Sequence, residues 1–437
     1  MIANAPIRTE PFAHSCYASG NERELLNQCL DSCSWSAFKG ALEGWGAEEC
    51  LSMASADAAA IAPLDIRFLG GRFVRELEGA FSKVYDCKYS VSSNSATSCL
   101  VMAMGAVDLE PGDEVICPCM SFNATATAIL AYNAIPVFCE VKPDTFCIDP
   151  VDFEKKITER TRAVLVVHLG GNAADMDAIM AVAARHGLKV IEDCAQALGV
   201  RYKGKLVGTF GDCGVFSFTE TKSITCGEGG MLTTNSPYIA RKARLIRNHG
   251  EGVVGYDWSD KDLANIIGMN FRLTEFQAAV MIPQFEDLEH RNAGRKENTA
   301  YLKKRLAKHK GLIHPVAEVD TDYVCFMLKW KWQPKPGQPN RDELVKALRA
   351  EGIPVAGGYG RMMHENPMFV RRIAYGTRGY PWSAYYREGE GPRYGKGTLP
   401  ISEAVNDQFI WFKFINPPNT TRDMDDVVRA FDKVLGG

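Results

Sequence analysis

The chain has 437 residues, 46% hydrophobic and 24% charged, the mixture of an ordinary globular protein able to bury a large core. Fifty Lys plus Arg against 53 Asp plus Glu leave a net charge of −3, so no basic field draws in nucleic acid and no acidic tail is present. No stretch approaches the roughly 20 uncharged apolar residues of a membrane span, and the N-terminus MIANAPIRTEPFAHS lacks the apolar core of a signal peptide. No membrane or nucleic-acid partner is expected, and the expected location is the cytoplasm. The 14 cysteines sit largely in apolar runs, where Cys packs as a small hydrophobe. Cys117-Pro-Cys119 and the Cys29/Cys33 pair have no nearby His or second Cys pair, so neither a zinc site nor a disulfide framework is expected.

The first 20 residues are polar and irregular, and NERELLNQCL (21–30) reads as a short amphipathic helix. Residues 36–65, rich in Ala, Gly and Glu, read as an insertion or flap. From Arg67 the pattern sharpens: 72–84 is a helix and YSVSS (89–93) a strand. Apolar runs and helical stretches then alternate, with strands at 113–118, 135–141, 163–169, 188–194 and 214–218 and helices at 125–133 and 176–187. GGMLTT (229–234) follows across a Gly-rich turn. Continuously apolar strands separated by helices signal a parallel sheet covered on both faces. Beyond about residue 300 the texture becomes α+β. ENTAYLKKRLAKH reads as a helix and 323–332 as an alternating strand. RDELVKALRAEG (341–352) and 421–435 read as helices, the latter opened by an N-cap Thr. The division expected is an N-terminal helix and flap over 1–65, a large α/β domain over 66–300 and a small α+β domain over 301–437. The Gly-, Tyr- and Arg-rich stretch 356–398 is a long loop of the kind that is usually functional.

Three features can carry chemistry. SSNSAT (92–97) lies between a strand and an apolar helix, and a helix N-terminus offers unpaired N–H groups and partial positive charge to an anion; taken alone, the same residues would be an ordinary helix cap. Asp193 ends the strand LKVIEDC, at the edge where open α/β sheets bind ligands. It could keep a heterocyclic nitrogen protonated, or be a plain ion-paired carboxylate. Lys222, in FSFTETKSITCGEGG (216–230), stands between a strand and a Gly-rich turn, flanks that hold a lysine in a cleft, where a lowered pKa permits a Schiff base. A lone lysine is most often surface charge. The order CGEGG is not that of a nucleotide P-loop. Pyridoxal 5′-phosphate (PLP) needs an anion site, a carboxylate and an imine-forming lysine together.

NSAT (94–97), PGDEVICP (111–118), EDCAQALG (192–199), FSF…K…GEGG and NFRLTEFQAAV (270–280) occur in this order. With these motifs the chain, from about residue 66 onward, resembles the DegT/DnrJ/EryC1/StrS family of PLP-dependent sugar aminotransferases. The resemblance implies the aspartate-aminotransferase-like, fold type I α/β architecture. It implies Lys222 as the covalent anchor of PLP, Asp193 as partner of the ring nitrogen and Gln196 at the phenolic oxygen. Ala96, Thr97 and Ser217 would hold the phosphate, and Phe122 would stack on the ring. Asn270 would reach the phosphate of a neighbouring subunit, which implies a homodimer with shared active sites. Ala96 stands where the family commonly has Gly. His168 and His249 are given a supporting or substrate-side role, with plain packing as the alternative.

The activity so implied is ping-pong transfer of an amino group from L-glutamate, or L-glutamine, to a keto-sugar, a nucleotide-linked keto-sugar or a related cyclitol. The alternatives are a deoxysugar dehydratase, which would lack the lysine, an aminobenzoate-synthase-like enzyme and a non-catalytic PLP-binding regulator. No Arg is singled out for the donor carboxylate.

Overall fold

The computed structural model describes residues 5–18, 20–36, 69–250, 266–318 and 320–436. The flap expected at 36–65 therefore lies, but for its first residue, outside the described residues. The sheet that organises the molecule has seven strands, ordered Tyr89–Ser93, Gly230–Thr234, Cys213–Ser217, Lys189–Asp193, Thr161–Val167, Glu114–Pro118 and Ile135–Cys139. Gly230–Thr234 runs antiparallel to both of its neighbours, and the remaining pairs are parallel. The central strands are almost wholly buried, as helices on both faces require.

Register decides what reaches the working edge. Val167, Asp193 and Val215 lie level across three parallel strands. Ser93, Gly230 and Ser217 lie level across the antiparallel set. Below them, Phe81 of the helix Arg72–Tyr85 is fully buried and packs its ring on Tyr85 at 4.6 Å, Phe285 at 4.7 Å and Phe216 at 5.1 Å. Phe216 immediately precedes Ser217, so this aromatic cluster seats the strand that carries the serine.

A second core surrounds a four-stranded antiparallel sheet, ordered Leu312–Ile313, Leu328–Trp332, Phe409–Phe412 and Ala356–Gly357. Trp330 and Trp332 are buried there against residues of the helices Leu288–Leu306, Arg341–Ala350 and Thr421–Leu435. The last helix starts one residue after Thr420, whose backbone N–H donates to Asp423. Phe12 belongs to this core as well, so the irregular N-terminal stretch is anchored.

Two expectations need correction. The strand expected over 323–332 is confined to Leu328–Trp332. Before it the chain peels away, and Phe326 donates its N–H to the Gly170 carbonyl at 3.1 Å, a bond that fixes it against the first sheet instead of the second. The helix read from Glu297 begins earlier, at Leu288, because polar residues such as Arg291 and Arg295 are buried on its inner face and hide the apolar period.

The stretch 356–398 is mostly a cover. Phe369 and Tyr394 pack on Phe138 of the outermost strand, and the Tyr394 hydroxyl donates to the Pro136 carbonyl at 2.7 Å, shielding an exposed edge. Among the described residues no helix is long and apolar enough to cross a membrane.

Phe81→Ala is expected to lower unfolding free energy by about 3–5 kcal/mol through lost burial and the cavity left behind. Val84→Ala, on the exposed side of the same helix, should cost at most about 0.5 kcal/mol. Denaturant midpoints of the two variants check the contrast.

Candidate active site

A cavity of about 620 Å³ opens at the carboxyl ends of the sheet strands, where ligands bind in open α/β sheets. It gathers Ala96, Thr97, Phe122, Asp193, Gln196, Ser217 and Lys222 from five separate stretches of chain. Asn270 is not on its wall. It is exposed, and its carbonyl accepts a long bond from the Asn94 side chain at 3.4 Å.

At one end stands the N-terminus of the helix Ala96–Ala106, capped by Ser95, whose hydroxyl accepts from the Ser98 N–H at 3.1 Å. Capping and anion binding are therefore compatible: the cap satisfies one donor and leaves those of the first turn for a ligand. Gly230 permits this geometry. A Cβ there would lie 2.6 Å from the Ser95 carbonyl carbon and 2.7 Å from the Ala96 nitrogen, closer than any side chain tolerates. Ser217, level with Gly230, brings its hydroxyl to the same end.

Asp193 is buried, with Oδ1 accepting from the Ala195 N–H at 3.0 Å and Oδ2 from the Thr125 hydroxyl at 3.3 Å. Burial pushes its carboxyl up, against the opposing pull of the Ala195 N–H, the Lys222 charge and Thr125. Across the cavity Lys222 is half-buried, its Nζ 4.7 Å from the Phe326 ring centroid. Burial brings its ammonium down from 10.5 to about 8, although the Asp193 carboxylate pulls the other way. Desolvation thus outweighs attraction for both groups. A lysine in this state is partly neutral near physiological pH and is a competent nucleophile.

Gln196 is held at both ends: its Oε1 accepts from the Gly170 N–H at 2.7 Å, and its Nε2 donates to the Tyr359 hydroxyl at 2.7 Å. Phe122 is 70% exposed among the described residues and stands on the cavity wall, an apolar ring offered to it. Anion cradle, carboxylate, amine and open aromatic face together suit a flat aromatic ligand with a phosphate at one end and a carbonyl carbon at the other.

Sequence reasoning missed Tyr359, Trp411, Lys413 and Phe326, which form the wall nearest the second sheet. Trp411 is pinned by its indole N–H to the Gly358 carbonyl at 2.9 Å. The aromatic density of 356–398 was an available signal for Tyr359 alone, since Phe326, Trp411 and Lys413 lie outside that stretch. Neither histidine faces the cavity. His249 is exposed and off the wall. His168 is fully buried, with Nδ1 accepting from the Ala174 N–H at 3.1 Å and Nε2 3.2 Å from Glu192. Glu192 also accepts the N–H groups of Gly208, Phe210 and Gly211 at 2.7–2.8 Å. This group satisfies itself and braces the loop beneath Asp193.

The two-lobed α/β architecture with a lysine facing a buried carboxylate at the strand ends is that of the PLP-dependent fold type I enzymes. An aminotransferase from Psychrobacter cryohalolentis superposes with a TM-score of 0.77 over 97% of this chain and 98% of its own, at 28% identity. The chain belongs to the DegT/DnrJ/EryC1/StrS aminotransferase family, whose sequence profile matches residues 56–390, and it is accordingly a transaminase. An L-glutamine:2-deoxy-scyllo-inosose aminotransferase of Streptomyces paromomycinus is 40% identical over 372 residues, 83% of this chain and 85% of that one. A pleiotropic regulatory protein of Geobacillus stearothermophilus is 36% identical over 349 residues, 78% and 87% of the respective chains.

Labelling of Lys222 by a small aldehyde with cyanoborohydride, followed by peptide mass spectrometry, should rise through its half-maximum near pH 8. A half-maximum above pH 10 would show that burial does not lower this amine.

Proposed function

We propose that the cavity holds pyridoxal 5′-phosphate and that the chain moves an amino group from L-glutamate or L-glutamine to a keto-sugar, a nucleotide-linked keto-sugar or a related cyclitol. The observation that carries the cofactor is the pairing, in one cavity, of a lysine brought down to about 8 with a buried carboxylate. The substrate class rests on the relatives, one of which is named for aminating an inosose. When bound, PLP supplies an aldehyde that takes up and returns amino groups and a ring that absorbs the electrons of the broken C–H bond.

The residues divide that work. The backbone N–H groups of Ala96 and Thr97 and the hydroxyls of Thr97 and Ser217 would hold the phosphate. Asp193 would keep the ring nitrogen protonated, a charge-assisted bond that also relieves its own burial. Gln196, fixed by Gly170 and Tyr359, would donate to the phenolic oxygen, and Phe122 would cover one ring face. Lys222 Nζ anchors the cofactor at rest. Freed by the donor's amine, Lys222 Nζ would take the proton from the donor Cα and return it to the former aldehyde carbon across the nitrogen. The acceptor then enters the same cavity and the proton path reverses.

Asn270 would act on the phosphate of a second copy of the chain. Its exposure, beside exposed Ile267 and Met269 at 69% and 44%, supports a homodimer with shared sites.

A second reading, that of a cofactor-binding regulator, is favoured by the name of the Geobacillus relative. The two differ in turnover. A transaminase exchanges amino groups between glutamate and 2-oxoglutarate, and a regulator holds the cofactor without exchange.

Lys222→Ala is expected to reduce that exchange by at least about 100-fold and to leave no borohydride-fixed cofactor on the chain. Asp193→Asn should retain bound cofactor but lose exchange to a comparable degree. Undiminished exchange in Lys222→Ala would overturn the proposal.

A further inference from the structure

Beside the main cavity lies a smaller one of about 120 Å³. A water occupies about 30 Å³ of liquid, so this space suits a carboxyl group with its adjoining carbon. The two cavities share Thr221, Phe326 and Lys413. Phe326 lines both, its ring 4.7 Å from Lys222 Nζ and also on the wall of the smaller space. The other walls include His14, Ser15, Arg295 and Asn416, with Glu220 as a carboxylate.

Arg295 is the unusual member. It is 2% exposed, and its Nη1 reaches only the carbonyls of Cys325 and Phe326, each at a long 3.4 Å. Its Nε has no hydrogen-bond partner, and among the described residues it forms no ion pair. Burial, helped by the nearby Arg291 charge, draws its pKa down to about 10. One helical turn earlier, Arg291 is equally buried but is matched: it pairs with Asp287 at 2.9 Å and stacks on Tyr17 at 3.8 Å. A buried cation without a counter-charge is costly unless something else supplies the charge. Lys413, half-buried on the same wall, adds a second cation.

The outer wall is fixed rather than loose. Phe12 is set in the second core, and Ala13 exchanges hydrogen bonds with the Asn419 side chain at 2.9 and 2.7 Å. Arg291 holds the carbonyls of Ser15 and Tyr17 at 3.2 and 3.0 Å. The irregular N-terminal stretch thus closes a preformed anion pocket.

We propose that this side pocket receives the far end of the amino donor, the carboxylate or carboxamide that terminates a five-carbon amino acid, with Arg295 and Lys413 as its specificity-determining residues. The inference rests on the transaminase reading of the main cavity. The donor's α-carboxylate is bonded to the reacting carbon and stays on the Lys222 side of Phe326. Only a longer side chain passes the ring, so L-alanine cannot use the pocket.

The test measures the donor half-reaction of the holoenzyme with L-glutamate, L-glutamine and L-alanine, together with calorimetric titration of glutarate, an unreactive dicarboxylate. Lys413→Met and Arg295→Gln are each expected to raise the glutamate KM on the order of 10- to 100-fold, the range of a charged hydrogen bond, and to weaken glutarate to match. In Arg295→Gln, which lies off the main cavity wall, kcat and all L-alanine parameters should stay as they were. A larger penalty on glutamate than on glutamine identifies a carboxylate as the natural occupant, and the reverse identifies a carboxamide. Lys413→Met touches no buried bond, so it decides the matter if Arg295→Gln fails to fold. Unchanged glutamate KM and glutarate binding in folded Lys413→Met, or a loss with L-alanine equal to that with glutamate in folded Arg295→Gln, overturns the pocket. If the wild-type protein exchanges no amino groups yet binds glutarate through these two side chains, the pocket stands and the cofactor chemistry falls.

Discussion

The withdrawal of one amine and one carboxylate from water is the constraint on which the site depends. Lys222 and Asp193 attract each other, yet burial raises one acid and lowers the other. In bulk water a lysine is almost wholly cationic at neutral pH, and such a group neither forms an imine nor accepts a proton. The apolar walls therefore set the chemistry as much as the polar groups do. Phe326 lies against Nζ, Trp411 lines the same cavity, and the Thr125 and Ala195 donors oppose the rise that burial imposes on the Asp193 carboxyl.

That desolvated pair needs a rigid frame, and the parallel sheet provides it. Asp193 is aligned with Val167 and Val215 by strand register, so its position is set by backbone hydrogen bonds and not by a loop. The same logic holds at the anion end, where Ser217 and Ser93 flank Gly230 and the helix begins three residues past Ser93. Gly230 is needed for want of a side chain: any Cβ would push the Ser95–Ala96 peptide away from the place where its N–H must point. His168 and Glu192 complete the frame from below, tying four backbone N–H groups together under the carboxylate.

Much of this was legible in the amino-acid sequence because it is local. The strands are continuous apolar runs, Asp193 ends one of them, and the NSAT turn is contiguous. The far wall was not legible, for physical reasons. Tyr359, Trp411 and Lys413 lie well over 100 residues beyond Lys222 and reach the cavity only because the second sheet docks there. The strand expected over 323–332 failed in its first half because Phe326 bonds across to Gly170, a tertiary demand that alternation cannot reveal. Asn270 is a different case. Its match to the family implied a role across a subunit boundary, and in a single chain it is exposed and off the cavity wall.

The Leu169–Gly171 turn links these two levels. Gly170 accepts the Phe326 N–H and donates its own N–H to Gln196, so one residue ties two parts of the cavity wall together. Buried Lys329, on the second sheet, donates to the Leu169 carbonyl next to it. Gly171 leaves no room for a Cβ, which would fall 1.8 Å from the Val324 carbonyl. The second sheet is therefore clamped to the first at the point where Gln196 and Phe326 line the cavity. A cavity built across such a junction holds Lys222 and Asp193 on one side, while the other side is made of aromatic and cationic residues from distant segments.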